Sequence, residues 1–250
     1  MSGHSKWATI KRKKGKADAE RGKLFTKHIK DITMAARDGG GDPDANPRLR
    51  TAIVAAKGDN MPADNIKRAI QKGTGELPGV VYESVVYEGY GPAGVALFME
   101  VLTDNRNRTV AEIRHILSKY GGNLGENGCV AWMFEKTGIV TIDMDATDED
   151  TLMEVAIDAG ATDVLSDSGI FEVLTDPADI DTVRTAIDEK GIALVSAEVT
   201  MRPSNSVKLE KESEANSMLK MYELLEDCED IQKVYANFDI DETLLEKLAG

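Results

Sequence analysis

The fold class is indicated most clearly by the stretch of residues 138–201, GIVTIDMDATDEDTLMEVAIDAGATDVLSDSGIFEVLTDPADIDTVRTAIDEKGIALVSAEVTM. Short runs of β-branched residues alternate along it with segments whose apolar residues recur every three or four positions, the pattern of strands interleaved with amphipathic helices. Their order is βαββαβ, which is that of a ferredoxin-like split βαβ domain. The predicted strands cover 139–142, 162–166, 170–174 and 192–199, and the predicted helices begin at Thr147 and at Asp176-Pro177.

A second sheet is predicted from segments on both sides of this stretch. Before it, two strands flank the loop Gly89–Gly94, a helix covers 105–120 and a strand covers 129–134. After it, an amphipathic helix over 213–227 precedes one more strand, 231–238. A lone terminal strand needs a sheet to pair with, and the earlier unit is one helix and one strand short. The sequence therefore predicts that one domain is inserted into another.

The N-terminal third predicts three short helices that form a small bundle. The first helix covers 17–37, the second begins after Asn46-Pro47 and ends at Gly58, and the third covers 62–73. The predicted fold class is therefore α+β, a small N-terminal helical bundle followed by two α/β-sandwich (ferredoxin-like) domains, one inserted in the other. The predicted domains are 1–79 with a flexible N-terminal arm, 80–135 together with 203–240, the inserted 136–202, and a short terminal helix over 241–250.

The charge of the chain is divided unevenly between its two parts. The net charge of −14 over all 250 residues argues against binding of nucleic acid, but this average hides a basic part of the chain. Residues 1–75 hold 17 Lys/Arg and 8 Asp/Glu, a net +9, whereas residues 76–250 hold 13 and 36, a net −23. Such an asymmetry predicts a basic module that binds a polyanion and an acidic body that limits non-specific association.

Ten of the 17 basic side chains of residues 1–75 lie in the segment SGHSKWATIKRKKGKADAERGKLFTKHIK, residues 2–30. Lys and Arg neutralise phosphates, and an aromatic side chain can stack on an unpaired base. The alternative is a solubilising tail or a localisation signal. An exposed basic patch is also predicted on the third helix. The candidate nucleic-acid contacts of the arm and patch are Lys6, Trp7, Lys11, Arg12, Lys13, Lys14, Lys16, Arg21, Lys23, Lys67 and Arg68.

Arg106 and Arg108 are further candidate contacts, because they lie in the first turn of a predicted helix. Cations at that end oppose the helix macrodipole, at a cost of about 0.3 kcal/mol or more. Either neighbouring carboxylates such as Asp104 and Glu112 or an anionic ligand would offset this cost. Both alternatives stay open at this point.

Motifs for catalysis and cofactors are absent from the sequence. Gly89-x-Gly91-x-x-Gly94 matches a dinucleotide fingerprint, but the segment after it predicts a strand where that motif requires a helix. The three histidines form no HxxxH or HExxH pair, and Cys129 and Cys228 form no CxxC pair. We therefore expect no enzyme activity, no cofactor, no metal and no small-molecule substrate. Few cysteines and no long apolar run predict a cytoplasmic protein with no membrane partner.

Several motifs, in the same order along essentially the whole chain, resemble the YebC/PmpR family. Each is short, and their combination is what makes the resemblance specific. The matching stretches are Gly3–Trp7, Arg21–Lys27, Asn60–Pro62 with Asp64–Ile66, Tyr87–Pro92, Thr103–Thr109 and Gly121–Gly125.

The resemblance implies three domains, no catalytic activity, a cytoplasmic bacterial location and control of gene expression. The family is described as DNA-binding transcriptional regulators, whereas its mitochondrial relatives and some bacterial ones resemble ribosome-associated translation factors. Three functions therefore stay open: a DNA-binding transcriptional regulator, a translation factor that binds ribosomal RNA or the ribosome, and a protein-interaction module without nucleic acid. The third leaves the basic arm unexplained. The bundle shows no clear helix-turn-helix, and a Gly/Lys-rich arm with one aromatic suits irregular RNA.

Overall fold

Three helices form the N-terminal bundle of the computed structural model, which describes residues 18–167 and 169–249. They are α1 (Asp18–Gly39), α2 (Pro47–Gly58) and α3 (Ala63–Gly73). The Asn46 side chain caps α2 by accepting a hydrogen bond from the Leu49 amide and donates to the Ala35 carbonyl at 2.8 Å. The buried apolar residues between the helices are Ile32, Ala35, Ala36, Leu49, Ile53, Ala56, Met61, Ile66 and Ala69.

The first sheet takes its strands from two distant parts of the chain. It has four strands, and one face is covered by two helices that contribute the largest buried core. Its elements are β1 (Glu83–Tyr90), β2 (Ala96–Thr103), α4 (Arg106–Lys119), β3 (Asn123–Leu124), α7 (Glu212–Asp227) and β9 (Ile231–Ala236). The strand order is β3-β1-β2-β9, and all neighbours are antiparallel.

The second sheet lies between these parts in sequence and has the split βαβ strand order. Its elements are β4 (Phe134–Asp143), α5 (Glu149–Asp158), β5 (Asp163–Asp167), β6 (Ile170–Thr175), α6 (Ile180–Glu189) and β7 (Leu194–Pro203). The four antiparallel strands follow the order β5-β6-β4-β7, and the helices enclose a separate apolar core. The first residue of β4, Phe134, pairs with the last residue of β7, Pro203, so the chain enters and leaves this sheet at neighbouring points.

The remaining elements are short. β8 (Val207–Lys208) and β10 (Phe238–Asp239) form a two-stranded parallel sheet, and α8 (Glu242–Ala249) follows. Single 3₁₀ turns occur at Pro92–Gly94, Ala131–Met133 and Met144–Ala146. Among the residues that the structure describes, no helix is both long and apolar enough to cross a bilayer.

The predicted fold class, helices followed by antiparallel sheets with helices on them, is confirmed, while the domain boundaries stay a prediction. The strand predicted over 129–134 is wrong. The amides of Gly128, Val130 and Ala131 donate to the Glu88 carboxylate instead of a neighbouring strand, so the segment is a loop with a 3₁₀ turn. The third strand of the first sheet is the earlier two-residue β3.

We expect the two sheets to differ when they are expressed as fragments. Residues 134–203 contain all four strands of the second sheet and its core, so this fragment should fold alone. Residues 80–133 lack β9 and α7, so β2 becomes an open edge and the core loses one covering helix. NMR amide dispersion distinguishes the two outcomes, and a well-dispersed spectrum from 80–133 would contradict the discontinuous sheet as a folding unit.

Candidate nucleic-acid interface

Most of the excess positive charge lies before the first described helix. Residues 1–17 hold six Lys/Arg and no acidic residue, whereas residues 18–75 hold eleven Lys/Arg and eight Asp/Glu. The N-terminal arm therefore supplies six of the nine net positive charges of the first 75 residues. The predicted contacts outside the described residues are Lys6, Trp7, Lys11, Arg12, Lys13, Lys14 and Lys16.

One face of α1 binds the acidic body. Lys23 forms an ion pair with Asp227 at 3.1 Å, and Lys27 donates to the main-chain carbonyl of Glu226 at 2.6 Å. Lys30 lies one turn further on the same face, because residues three and four apart are neighbours on a helix. These lysines hold the bundle against the turn between α7 and β9. Lys23, predicted as a nucleic-acid contact, is thus half-buried in an intramolecular ion pair.

The strongest of these contacts is a buried ion pair between Lys30 and Asp230. The Lys30 Nζ lies 2.6 Å from Oδ1 of Asp230, and the two residues are 5% and 4% exposed. The other carboxylate oxygen accepts hydrogen bonds from Arg108 at 2.8 Å, Thr109 at 2.6 Å and Thr103 at 3.2 Å. Lys30 also donates to the main-chain carbonyl of Glu229 at 2.9 Å. Every charge in the cluster therefore has a partner.

The hydrogen-bond partners of Asp230 keep its carboxylate in the charged form. Burial by itself raises the pKa of an aspartate, but the hydrogen bonds from Lys30, Thr109 and Arg108 favour the charged form. The hydrogen bonds outweigh burial and lower the pKa of Asp230 to about 2. The carboxylate is therefore ionised throughout the neutral range, and it attracts both the bundle and the start of α4.

Intramolecular carboxylates pair with both arginines at the start of α4. Arg108 pairs with Asp104 at 2.7 Å and with Asp230, and these hydrogen bonds raise its pKa above the ordinary value. Arg106 pairs with Glu83 at 2.8 Å. Asp104 was predicted as a neighbour, but Asp230 was not, because 122 positions separate it from Arg108. Binding of nucleic acid by the two arginines stays a prediction.

The remaining candidates lie on the outer surface of the bundle. Arg21 is exposed near the start of α1, and Lys67 and Arg68 are exposed on α3. Neither Lys67 nor Arg68 forms an ion pair with another residue of the described ranges. Lys72, one turn further along α3, is also exposed. The outer face of α3 is therefore a basic surface attached to the same rigid bundle as the arm.

One described histidine and both cysteines are engaged within the fold. His28 is 9% exposed and its Nε2 lies 2.8 Å from Asp59 Oδ2, whereas His115 is exposed on α4. Burial raises the pKa of the Cys228 thiol to about 11, and burial also raises the pKa of Cys129. Both thiols are therefore protonated at neutral pH, which makes them weak nucleophiles. Within 18–167 and 169–249, no three His, Cys, Asp or Glu side chains are grouped as metal ligands.

Two family models together match nearly the whole chain. The model of the TACO1/YebC N-terminal domain matches residues 5–76, and the model of the TACO1/YebC second and third domain matches residues 82–238. The chain belongs to the TACO1/YebC family. The resemblance to YebC/PmpR proteins is thereby confirmed.

Relatives of similar length carry regulatory names. A "probable transcriptional regulatory protein" of Desulfotalea psychrophila is 58% identical, with 100% of each chain covered. A protein of the same description from Syntrophus aciditrophicus is 60% identical, also over 100% of each chain. The crystal structure of a conserved hypothetical protein from Aquifex aeolicus has the same fold, with a TM-score of 0.80, 45% identity and coverage of 91% of this chain and 93% of that one. Membership of the family thus carries a regulatory role.

Replacing Asp230 with Asn should weaken the attachment of the bundle. At pH 7 the free energy of unfolding should fall by about 2 to 4 kcal/mol, since Lys30 stays buried without its counter-charge. The folded-state pKa of Asp230 lies below the unfolded value of about 3.9. The stabilisation is therefore complete above about pH 4 and lost as the pH falls through about 2.

Urea unfolding of both proteins between pH 7 and pH 2 measures this difference. Asp181→Asn, at an exposed carboxylate on α6, is the matched control and should shift stability by less than about 0.5 kcal/mol. The role given to the ion pair would be contradicted if wild type and Asp230→Asn differed little in free energy of unfolding at pH 7. It would also be contradicted if this difference grew towards pH 2.

Proposed function

We propose that the protein is a non-enzymatic regulator of gene expression that binds nucleic acid through its basic N-terminal module, residues 1–79. The observation that carries this proposal is the division of charge, +9 over residues 1–75 against −23 over the remainder. A nucleic acid is the common cellular polyanion that such a module fits, and binding by Lys and Arg gains free energy from released counterions. The proposed place of action is the cytoplasm.

The arm and the outer face of α3 form the proposed contact surface. The arm supplies six cations, and Lys67, Arg68 and Lys72 extend the surface over the bundle. Lys23, Lys27 and Lys30 serve a different purpose, since their contacts with the 226–230 turn orient the bundle. The acidic body then keeps the nucleic acid on the basic side of the molecule through charge repulsion.

Duplex DNA is the target that the relatives' names favour, since they describe transcriptional regulators. RNA of the ribosome is the second candidate, and two observations favour it. Trp7 is an aromatic among basic residues, which suits an unpaired base. The outer face of α3 carries Lys67, Arg68 and Lys72 and few amide side chains, so it suits phosphates better than base edges.

Replacing Lys11, Arg12, Lys13 and Lys14 together with Ala should weaken binding without changing the melting temperature. Each lost phosphate contact should flatten the slope of log K against log salt by about 0.7 to 0.9. Fluorescence anisotropy at several salt concentrations measures the slope. The matched control removes the same charge from the acidic body, with Arg114, Lys119, Lys190 and Lys220 replaced by Ala. Equal slopes for the two variants would show that net charge, and not the arm, governs binding.

Replacing Trp7 with Ala should distinguish the two targets. Affinity for single-stranded or ribosomal RNA should fall about tenfold, equivalent to roughly 1.4 kcal/mol, because a stacking contact is lost. Affinity for duplex DNA should change little, since its bases are already stacked. With Trp132 replaced by Phe, quenching of Trp7 fluorescence on titration reports the contact directly.

The other outcomes of the Trp7 experiment are equally informative. A strong loss on promoter duplex alone would establish DNA as the target. An equal loss for both ligands, accompanied by a lower melting temperature, would mean that Trp7 packs on the protein and contacts neither.

A further inference from the structure

A second tryptophan lies exposed on the body of the protein, away from the helical bundle. Trp132 is 70% exposed in the 3₁₀ turn between the first sheet and β4. The N-terminal bundle is attached near Thr103, at the end of β2, whereas Trp132 lies near Tyr90 and Ala96, where β2 begins. The eight residues of β2 span about 20 to 25 Å, so the two places are well separated.

A buried carboxylate holds the loop that carries Trp132. Glu88 is 5% exposed, and its two oxygens accept hydrogen bonds from the amides of Gly128 at 2.6 Å, Val130 at 2.8 Å and Ala131 at 2.8 Å. Burial raises the pKa of such a group, but the three amides together lower it below the ordinary value. The charged Glu88 therefore fixes the backbone on the N-terminal side of Trp132.

The indole ring has a fixed orientation as well. Its Nε1 donates a hydrogen bond to the Cys129 carbonyl at 3.1 Å, and the Tyr90 hydroxyl donates to the same oxygen at 3.1 Å. On the other side of the turn, the Ser204 amide donates to the Met133 carbonyl at 2.8 Å. The loop thus presents a large flat apolar surface to solvent in one orientation, and a ligand that binds it loses little side-chain entropy of the protein.

The surroundings of Trp132 differ in charge from the rest of the body. Residues 126–136 and 201–208 hold three Lys/Arg and two Asp/Glu, within a part of the chain that carries a net −23. Two of the basic residues, Lys136 and Arg202, are exposed and form no ion pair with any residue described in the structure. A polyanion can therefore approach this surface, although most of the body repels one.

We propose that Trp132 is a stacking platform for an unpaired nucleobase, a second contact for the nucleic acid that the basic module binds. This inference rests on the proposed function. An exposed indole with a fixed ring suits the face of any base, while Lys136 and Arg202, on opposite faces of the β4–β7 pair that follows the turn, suit phosphates further along the ligand. A base in a duplex is already stacked on both sides, so the ligand at Trp132 is a single-stranded or looped segment. The separation from the bundle requires a ligand that extends over about 20 Å.

A protein with Trp7 replaced by Phe, in which Trp132 is the sole tryptophan, tests the contact directly. Titration with a 20-nucleotide single-stranded oligouridine should quench the fluorescence of Trp132. Titration with a 20-base-pair duplex, which carries about twice the charge, should nevertheless leave the fluorescence nearly unchanged. A proline-rich peptide is the third arm of the experiment, because a peptide is the other ligand that an exposed tryptophan can hold.

Affinity measurements on variants of Trp132 complete the test. Trp132→Ala should weaken binding of the oligouridine about tenfold, whereas Trp132→Tyr should weaken it less than threefold, because an aromatic ring remains. Affinity for the duplex should change less than twofold. Val81→Ala, at another exposed apolar side chain, is the control and should have no effect. Unchanged melting temperatures exclude a folding defect.

The outcomes separate this inference from the proposed function. If the arm variant loses affinity and Trp132→Ala does not, the platform is wrong and the proposed function stands. If the peptide quenches Trp132 and the oligouridine does not, the surface binds protein and the inference is overturned. If the wild-type protein binds no nucleic acid, both proposals fail together.

Discussion

The ion pair between Lys30 and Asp230 is the contact on which the arrangement of the molecule depends. It is buried where the helical bundle meets the first sheet, and it joins residues 200 positions apart. Removing either partner by substitution would leave the other charge buried and uncompensated, which is strongly destabilising, so this pair ties the bundle to the sheet. The same carboxylate binds Arg108 and thereby fixes the start of α4. One aspartate thus orients the basic module on the acidic body.

This orientation keeps the basic and acidic parts of the molecule on separate sides. The inserted stretch 136–202 alone holds 16 acidic and 4 basic residues, so the molecule has one side that attracts polyanions and a large part that repels them. Fixed by Lys23, Lys27 and Lys30, the bundle presents the exposed Lys67 and Arg68 of α3 to solvent. The surface around Trp132 is less acidic than the inserted stretch and therefore repels an extended ligand less.

Local patterns in the sequence were sufficient for most of the fold. The βαββαβ order of 138–201, the cap at Asn46 and the pairing of a distant terminal strand with the first sheet all follow from periodicity, capping residues and the need of a strand for a partner. The strand over 129–134 was wrong because its amides bond to Glu88, a side chain 40 or more positions away. A contact between residues so far apart in the sequence cannot be predicted from a local pattern.

The candidate site was less predictable for the same reason. The basic arm is visible as a run of Lys and Arg, but the partners of individual cations depend on the tertiary structure. The sequence could not identify Asp227 as the partner of Lys23 or Asp230 as the partner of Arg108, and binding of nucleic acid by these two cations stays a prediction. The one available signal was the unfavourable position of the arginines at a helix start, which indicates a nearby anion without identifying it.

Mapping the contact on the full-length protein shows where the nucleic acid binds. Ultraviolet cross-linking to single-stranded RNA and to duplex DNA, followed by mass spectrometry of the peptides, locates the bound nucleic acid on the chain. We expect cross-links within residues 1–21, with those to single-stranded RNA extending to Trp132, and none on α5 or α6. Cross-links concentrated in the acidic residues 143–189, with none in the first 21, would contradict binding through the basic module.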